Sequence, residues 1–376
     1  MFDKKPDLVW VSEYYGPTGY SEEARGFIST LDRCHFNLKI ISQFYYRIED
    51  FLTPEQEYQL ESLETTPIDI GKAVVVQHRP AHQFDNNIRG RVNIGRIMFE
   101  TDRLPDEWVE RCKPMDEIWV PSHFNLETFS GSGIPSHKLR VIPGGVDVNL
   151  YHPAARPLQL GKNDAFAFLS VFDWTERKGW DLLLTAYYDE FQSKEDVMLL
   201  IKADKRCTPG LISEQFNSFV RKRIAHKQPS FPMVRVLDWE VPGSLMPAVY
   251  TACDAFVLPS RGESWGRPYM EAMACGLPVI GTRWSGNLEF MNDQNSYLIE
   301  VEGIEDVPVN VDVQLYSGHK WARPSVEHLR HLMRHVYEHR QEAKARGAQG
   351  RSDICQQWTW EHAVSAVGRE LEKYST

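Results

Sequence analysis

The chain has 376 residues, with 42 Lys and Arg against 52 Asp and Glu, a formal net charge of −10. That is more chain than one core organises, and it suits two α/β domains. The acidic balance argues against a nucleic acid partner and weakens the case for a basic face on an anionic membrane, so membrane association is not indicated.

Hydrophobic residues make up 42% and charged residues 25%, an ordinary globular composition. No apolar run approaches the roughly 20 residues needed to cross a bilayer. The opening MFDKKPDLVWVSEYY does not read as a signal peptide, because Ser12 and Glu13 break its apolar run. Cys34, Cys112, Cys207, Cys253, Cys275 and Cys355 form no CxxC pair. Free thiols in a reducing, cytoplasmic compartment are the expectation.

In chain order, Asp7 to Ser12 reads as a first buried strand. Gly16 and Gly19 then make a tight loop, and a helix starts near Ser21. Strand, glycine loop and helix start is how doubly wound folds bring backbone N–H groups to a phosphate, although this is not a GxGxxG. Leu38 to Ser42 is a second strand, and Phe51 to Leu63 a polar helix. Ala73 to Gln77 is a buried strand ending at His78, with His82 just beyond. A histidine past a strand's carboxyl end stands where open α/β sheets bind ligands, and equally where it would cap local backbone. Gly95 to Thr101 is expected to be a strand, with Glu100 near its end and Asp102 and Arg103 following. Glu100 is read either as a hydroxyl acceptor at the site or as an ion-pair partner of Arg103. Asp116 to Val120 and Leu139 to Pro143 are the remaining strands of this half. Val148 to Lys162, proline-rich and without periodicity, reads as a linker.

Strands and helices then alternate again. Phe166 to Phe172 is followed by the loop DWTERKG and an amphipathic helix from Trp180. Lys178, beside Gly179 at a strand's carboxyl end, suits a phosphate ligand. Val197 to Ile201 and Val234 to Leu237 are strands; Lys205 follows the first and Trp239 and Val241 the second. His328, His331, His335 and His339 share one helical stripe. They read as a polar border to the apolar face of Leu329, Leu332, Met333 and Val336 rather than a metal site. No other group of residues reads as a metal site.

The most informative stretch is LPSRGESWGRPYMEAMACGLPVIGT, from Leu258 to Thr282. It reads as strand, loop, helix, strand. Pro268 suits the helix's first turn and Gly276 its C-terminal cap. A helix N-terminus favours phosphate. Glu263 in the loop and Glu271 on the helix flank that anion site, placed to accept hydrogen bonds from hydroxyls at two ends of one ligand. A nucleotide-sugar has that layout. Glu263 and Glu271, with seven residues between them inside this context, resemble the E-x7-E signature of retaining glycosyltransferases of the GT4 type (glycosyltransferase group 1).

The resemblance implies a GT-B fold: α/β, with two Rossmann-like doubly wound domains facing across a cleft. The domains are expected at 1–155, joined by a terminal helix at 358–376, and at 163–357. It implies Glu263, Lys178 and Glu100 as catalytic, with Glu263 on the donor sugar and Lys178 on the diphosphate. Gly16, Gly19, Arg177, Val241, Ser264, Trp265, Gly266, Arg267 and Glu271 would bind the donor. Gly19 would face the diphosphate, Val241 would lie near the base with Trp239, and Glu271 would hold the ribose. Ser285 and Gly286 would also lie near the diphosphate. His78 and His82 would lie on the acceptor side, as would the insertion from Gln43 to Pro67. Two departures stand out. The family's histidine is replaced by Glu100. The usual arginine before the lysine is missing, with Phe172 and Asp173 in its place, and its substitute is open between Arg177 and Arg267. The partners implied are a nucleotide-sugar donor and a carbohydrate or glycoconjugate acceptor, with no cofactor and no metal. A nucleotide-sugar epimerase, a dinucleotide dehydrogenase and a non-enzymatic nucleotide-sugar sensor are the competing readings.

Overall fold

The computed structural model describes residues 5–34, 36–43, 51–161, 165–204, 210–224, 230–309 and 314–375. Cys207, Lys205 and residues 44–50 of the expected acceptor insertion lie outside them. The chain divides into two units, Met1–Asp147 with Gln357–Thr376, and Val148–Gln356.

In the first unit the elements are β1 (Leu8–Ser12), α1 (Gly19–Arg33), β2 (Leu38–Ser42), α2 (Pro54–Glu64), β3 (Val74–His78), β4 (Val92–Arg96), α3 (Asp106–Cys112), β5 (Glu117–Val120), α4 (His123–Gly131) and β6 (Leu139–Val141). The strands form one sheet in the order β2-β1-β3-β4-β5-β6, with every pairing parallel. β1, β3 and β4 are buried along their whole length. β1 and β3 accordingly open on unbroken apolar runs, as a parallel sheet covered on both faces requires. Thr18 caps α1 by accepting the Ser21 N–H at 3.0 Å. Thr53 and Gln56 form a capping box on α2.

The expected strand over Gly95 to Thr101 is displaced. β4 ends at Arg96, and the backbone beyond leaves the sheet. Side chains take over its hydrogen bonds: Met98 N–H donates to the Tyr20 hydroxyl at 3.2 Å, and the Phe99 carbonyl accepts from Asn125 at 2.6 Å.

The second unit holds β7 (Phe166–Asp173), α5 (Trp180–Glu190), β8 (Val197–Asp204), α6 (Leu211–Phe219), β9 (Met233–Leu237), α7 (Met246–Thr251), β10 (Ala255–Leu258), α8 (Arg267–Ala274), β11 (Val279–Thr282), β12 (Tyr297–Ile299), β13 (Val301–Asp306), β14 (Lys320–Pro324), α9 (Val326–Glu338) and α10 (Arg340–Gln357, its last residue in the first unit). β7 to β12 make a parallel sheet in the order β12-β11-β10-β7-β8-β9, while β13 and β14 form a separate antiparallel hairpin. Counted from β7, that is the 3-2-1-4-5-6 arrangement of a doubly wound nucleotide-binding sheet.

α11 (Trp360–Leu371) belongs to the first unit and packs into its core beside Trp10 and Phe27. Val146 N–H donates to the Trp358 carbonyl at 3.1 Å, which ties the returning segment down. The division after Asp147 falls earlier than the expected position 155, because the proline-rich segment is stitched into the second unit. Leu158 N–H donates to the Ala248 carbonyl at 2.8 Å, and Tyr151 packs edge-on against Tyr250. Among the described residues all five cysteines are free thiols, and no helix is long and apolar enough to cross a membrane.

Candidate functional site

In a doubly wound sheet, ligands bind beyond the carboxyl ends of the strands where the order reverses. In the second unit that point lies between β7 and β10. The loops leaving these two strands carry Arg177 and Lys178 on one side and Glu263 on the other, and the structure brings them together. Lys178 Nζ donates to Glu263 Oε1 at 2.6 Å, and Arg177 Nη1 lies 3.5 Å from the same oxygen. Arg177 also donates to the Gly262 carbonyl at 2.6 Å. All three residues are buried. Burial pushes the Glu263 carboxyl up, but Lys178 and Arg177 outweigh it, and the group sits below its usual range. An ammonium has three donors, and Glu263 is the one hydrogen-bond partner of the Lys178 ammonium seen among the described residues.

The backbone around the cluster is tightly specified. Gly179 sits at φ +68°, and a Cβ there would lie 2.1 Å from the Pro259 carbonyl oxygen. Only glycine lets the lysine loop approach the glutamate loop this closely. Ser285 is the one non-glycine residue with positive φ (77°) among the described residues. Its hydroxyl accepts the Glu263 N–H at 2.8 Å, and Gly286 N–H donates to the Glu263 carbonyl at 2.8 Å. Strained backbone of this kind persists where its surroundings over-determine it, and it gathers at functional sites.

α8 follows from the sequence as expected. Gly266, at φ +93°, precedes it, and Pro268 lies in its first turn. Gly276 N–H bonds the Met273 carbonyl and Leu277 N–H the Ala272 carbonyl, a Schellman closure. Ser264 and Trp265 are buried, with Trp265 against Phe290. Glu271 takes Arg267 Nη2 on one oxygen at 2.8 Å and the Tyr250 hydroxyl on the other at 2.7 Å. Burial and then the Glu271 carboxylate hold the Tyr250 phenol well above its usual range. Of the two arginines, Arg177 lies beside Lys178 at Glu263, and Arg267 pairs with Glu271. Val241 lies past the carboxyl end of β9, the sheet's edge strand, beside the half-exposed Trp239.

Two contributors went unnoticed in the sequence. Tyr250 sits in an apolar run and gives no sign of its hydroxyl's use. Arg261 donates to both carboxylate oxygens of Asp181 at 2.9 and 2.8 Å, and its backbone N–H reaches the Arg177 carbonyl at 2.7 Å. It therefore clamps the two site loops together. Its place inside PSRGES was the available signal.

In the first unit, Gly16 is buried and Gly19 exposed at the start of α1. Arg25 donates to the Gly16 carbonyl at 2.9 Å and fixes the loop. Glu100 is half-buried near Tyr20, whose phenol is raised by burial first and by Glu100 and Glu23 among the rest. Arg103 pairs with Asp102 at 3.5 Å. His78 is fully buried: its Nδ1 accepts from Trp10 at 3.3 Å and its Nε2 meets Glu23 at 2.9 Å. The side chain therefore reaches no solvent. His82 is exposed and leans on Trp108, away from His78's enclosure. In the histidine stripe, His328 accepts the Glu300 N–H, His331 pairs with Glu327, and His335 stacks on His339. No cluster with metal-ligand chemistry occurs among the described residues.

Residues 163–308 match the family described as Glycosyl transferases group 1. Spore coat protein SA of Bacillus subtilis is 28% identical over 55% of this chain and 58% of its own length. A D-inositol 3-phosphate glycosyltransferase of Segniliparus rotundus is 29% identical over 42% of this chain and 35% of its own length. The chain thus spans about half or less of these relatives. Among solved structures, Anabaena HepE in complex with UDP and glucose superposes with a TM-score of 0.69 at 14% identity, covering 98% of this chain and 100% of that one. Sucrose-phosphate synthase of Thermosynechococcus elongatus gives 0.66 at 14%, covering 98% of each. These similarities show the two-domain Rossmann-like GT-B fold.

Proposed function

Starting from a GT-B chain of the glycosyltransferase group 1, GT4-like kind, we propose that the protein transfers a sugar from a nucleotide diphosphate donor to a hydroxyl of a carbohydrate or glycoconjugate acceptor, with retention at the anomeric carbon. The observation that carries this reading is the convergence of Arg177 and Lys178 on the single carboxylate of Glu263 at the switch point of the second sheet. Two cations beside one carboxylate make a place for an anion.

The donor diphosphate takes the two cations, and Glu263, released to the sugar, accepts its hydroxyls. Glu271 accepts from the ribose. As the bond from the anomeric carbon to the phosphate oxygen breaks, the electron pair stays on the phosphate. Lys178 and Arg177 are already oriented to stabilise that charge, and fixed dipoles and cations are most effective when they need no rearrangement. The acceptor oxygen forms the new bond on the same face, and its proton passes to the departing phosphate. The charge is met by side chains, so no metal is invoked. Fold neighbours such as Anabaena HepE hold UDP, and two relatives are named GDP-mannose-dependent mannosyltransferases, so UDP-sugars and GDP-mannose are the first donors to try.

The test is turnover of UDP-, GDP- and ADP-sugars with a panel of glycan acceptors. One donor is expected to be consumed, equally with and without EDTA. Glu263→Gln should lose about 10²–10³-fold in rate. Wild-type rates in that variant, or strict metal dependence, would overturn the mechanism.

A further inference from the structure

A second concavity lies within the second unit. It is a cavity of about 710 Å³, inside the range of about 300–1,000 Å³ usual for small-molecule sites. The N-terminal turns of α5, the end of α6 with the turn after it, Arg261 and the β13–β14 hairpin enclose it. Glu263 and Lys178 do not line it.

Its wall has two kinds of surface. Trp180 and Phe219 are half-buried and meet edge to face at 5.5 Å. One face of Trp180 is stacked on Trp174 at 4.9 Å, so the rest of the indole is what the cavity receives. The other surface is ionic. Glu176, Asp181 and Glu305 stand against Lys222, Arg223 and Arg261, three acids and three bases. Asp181 is gripped at both oxygens by Arg261, whose Nε also lies 3.9 Å from Glu305.

These features select a ligand class. An aromatic face with rigid carboxylate and guanidinium groups at its edge suits a molecule with one apolar face and a rim of hydroxyls that both donate and accept. A pyranose has that form. The balanced charge gives no net attraction for a phosphate or a nucleotide, in contrast to the two cations at Glu263. We propose that this cavity is a second carbohydrate site, separate from the donor site, that holds one or two rings of an uncharged glycan. The hairpin's Ala322 N–H donates to the Arg261 carbonyl at 2.9 Å, while Arg261 N–H donates to Arg177. A glycan seated here therefore rests on the same residue that joins the two donor-site loops.

Saturation-transfer NMR on the full chain tests this. The probes are methyl glycosides of glucose, galactose, mannose and N-acetylglucosamine, with maltose and cellobiose. At least one should bind wild type and Glu263→Gln alike. Binding should weaken at least about tenfold in Phe219→Ala, which removes an aromatic wall, and in Thr185→Trp, which fills the space. Circular dichroism identifies which of the two variants folds, and either one suffices. The proposal is overturned if no sugar binds, if binding survives in a folded cavity variant, or if inorganic phosphate displaces the sugar. Loss of binding in Glu263→Gln alone would place the sugar at the donor site and also overturn it. Failure of donor turnover leaves this test unaffected.

Discussion

Each unit carries a buried carboxylate with two nitrogen-bearing partners at the strand ends of a doubly wound sheet, and the two clusters differ in charge and in the backbone that holds them. In the first unit, Glu23 takes Arg96 on one oxygen at 2.5 Å and His78 on the other at 2.9 Å. Burial, followed by the hydrogen bond and charge of Glu23 and the charge of Arg96, leaves His78 below its usual range, so it stays neutral near pH 7. One cation faces one anion, and Arg96 spends another nitrogen on the Ile142 carbonyl at 2.9 Å. In the second unit two cations face one carboxylate. The first cluster stands on regular structure: α1, β3 and β4. The second stands on loops that need a left-handed Gly179 and a strained Ser285. A balanced cluster on regular elements holds a fold together. The cluster at Glu263 instead depends on backbone that regular elements do not supply.

Breaking the first cluster should have the largest effect on stability. Glu23→Ala removes the only carboxylate that pairs with Arg96 among the described residues and should cost about 3–5 kcal/mol, as for other broken buried pairs. Urea denaturation measures it, and a cost under about 1 kcal/mol would mean that the cluster behaves like a surface pair. Next comes Gly179→Ala, which combines an unfavourable φ with a Cβ driven into Pro259 and should cost about 1–3 kcal/mol. Its sharper signature is loss of donor turnover beyond what the lost stability explains. Unchanged activity would show that the close approach of the loops is dispensable.

The smallest effect is in pH. Glu23 is subject to burial, which raises it, and to Arg96 and His78, which together bring it from the usual 4.5 down to about 2. His78 also lies below its usual 6.5. A lowered folded value means the unfolded chain binds protons first. The stabilisation is therefore complete above about 6.5, declines as His78 is drawn toward protonation, and is lost as pH falls through about 2. Denaturation at pH 7, 5 and 3 should show falling stability, and a flat profile would contradict the assignment.

Much of this was legible in the sequence because strands such as β1, β3, β7 and β10 carry continuous apolar runs and the Leu258–Thr282 stretch names its own turns. Other parts were not. β13 alternates half-buried and exposed residues, so it lacks a continuous apolar run. α10 has glycines where a helix would not want them. Gly347 is there because a Cβ would strike the Gly276 carbonyl at 2.5 Å, a packing reason invisible without the partner. Which carboxylate each of Arg177 and Arg267 meets turns on which loop approaches which, and spacing along the chain does not encode that. His78 looked like a ligand residue because strand ends are where ligands bind. Glu23, 55 residues earlier, encloses it.

The central claim is that the Arg177–Lys178 pair receives a diphosphate. Titration calorimetry of UDP, GDP and ADP against wild type, Lys178→Ala and a folded Glu23→Gln control tests it most directly. The account predicts that one nucleotide binds wild type and the control alike and loses at least about tenfold in affinity in Lys178→Ala, with most of the loss in the diphosphate's share of the interaction. Equal affinity in Lys178→Ala, or no nucleotide binding at all, would contradict it.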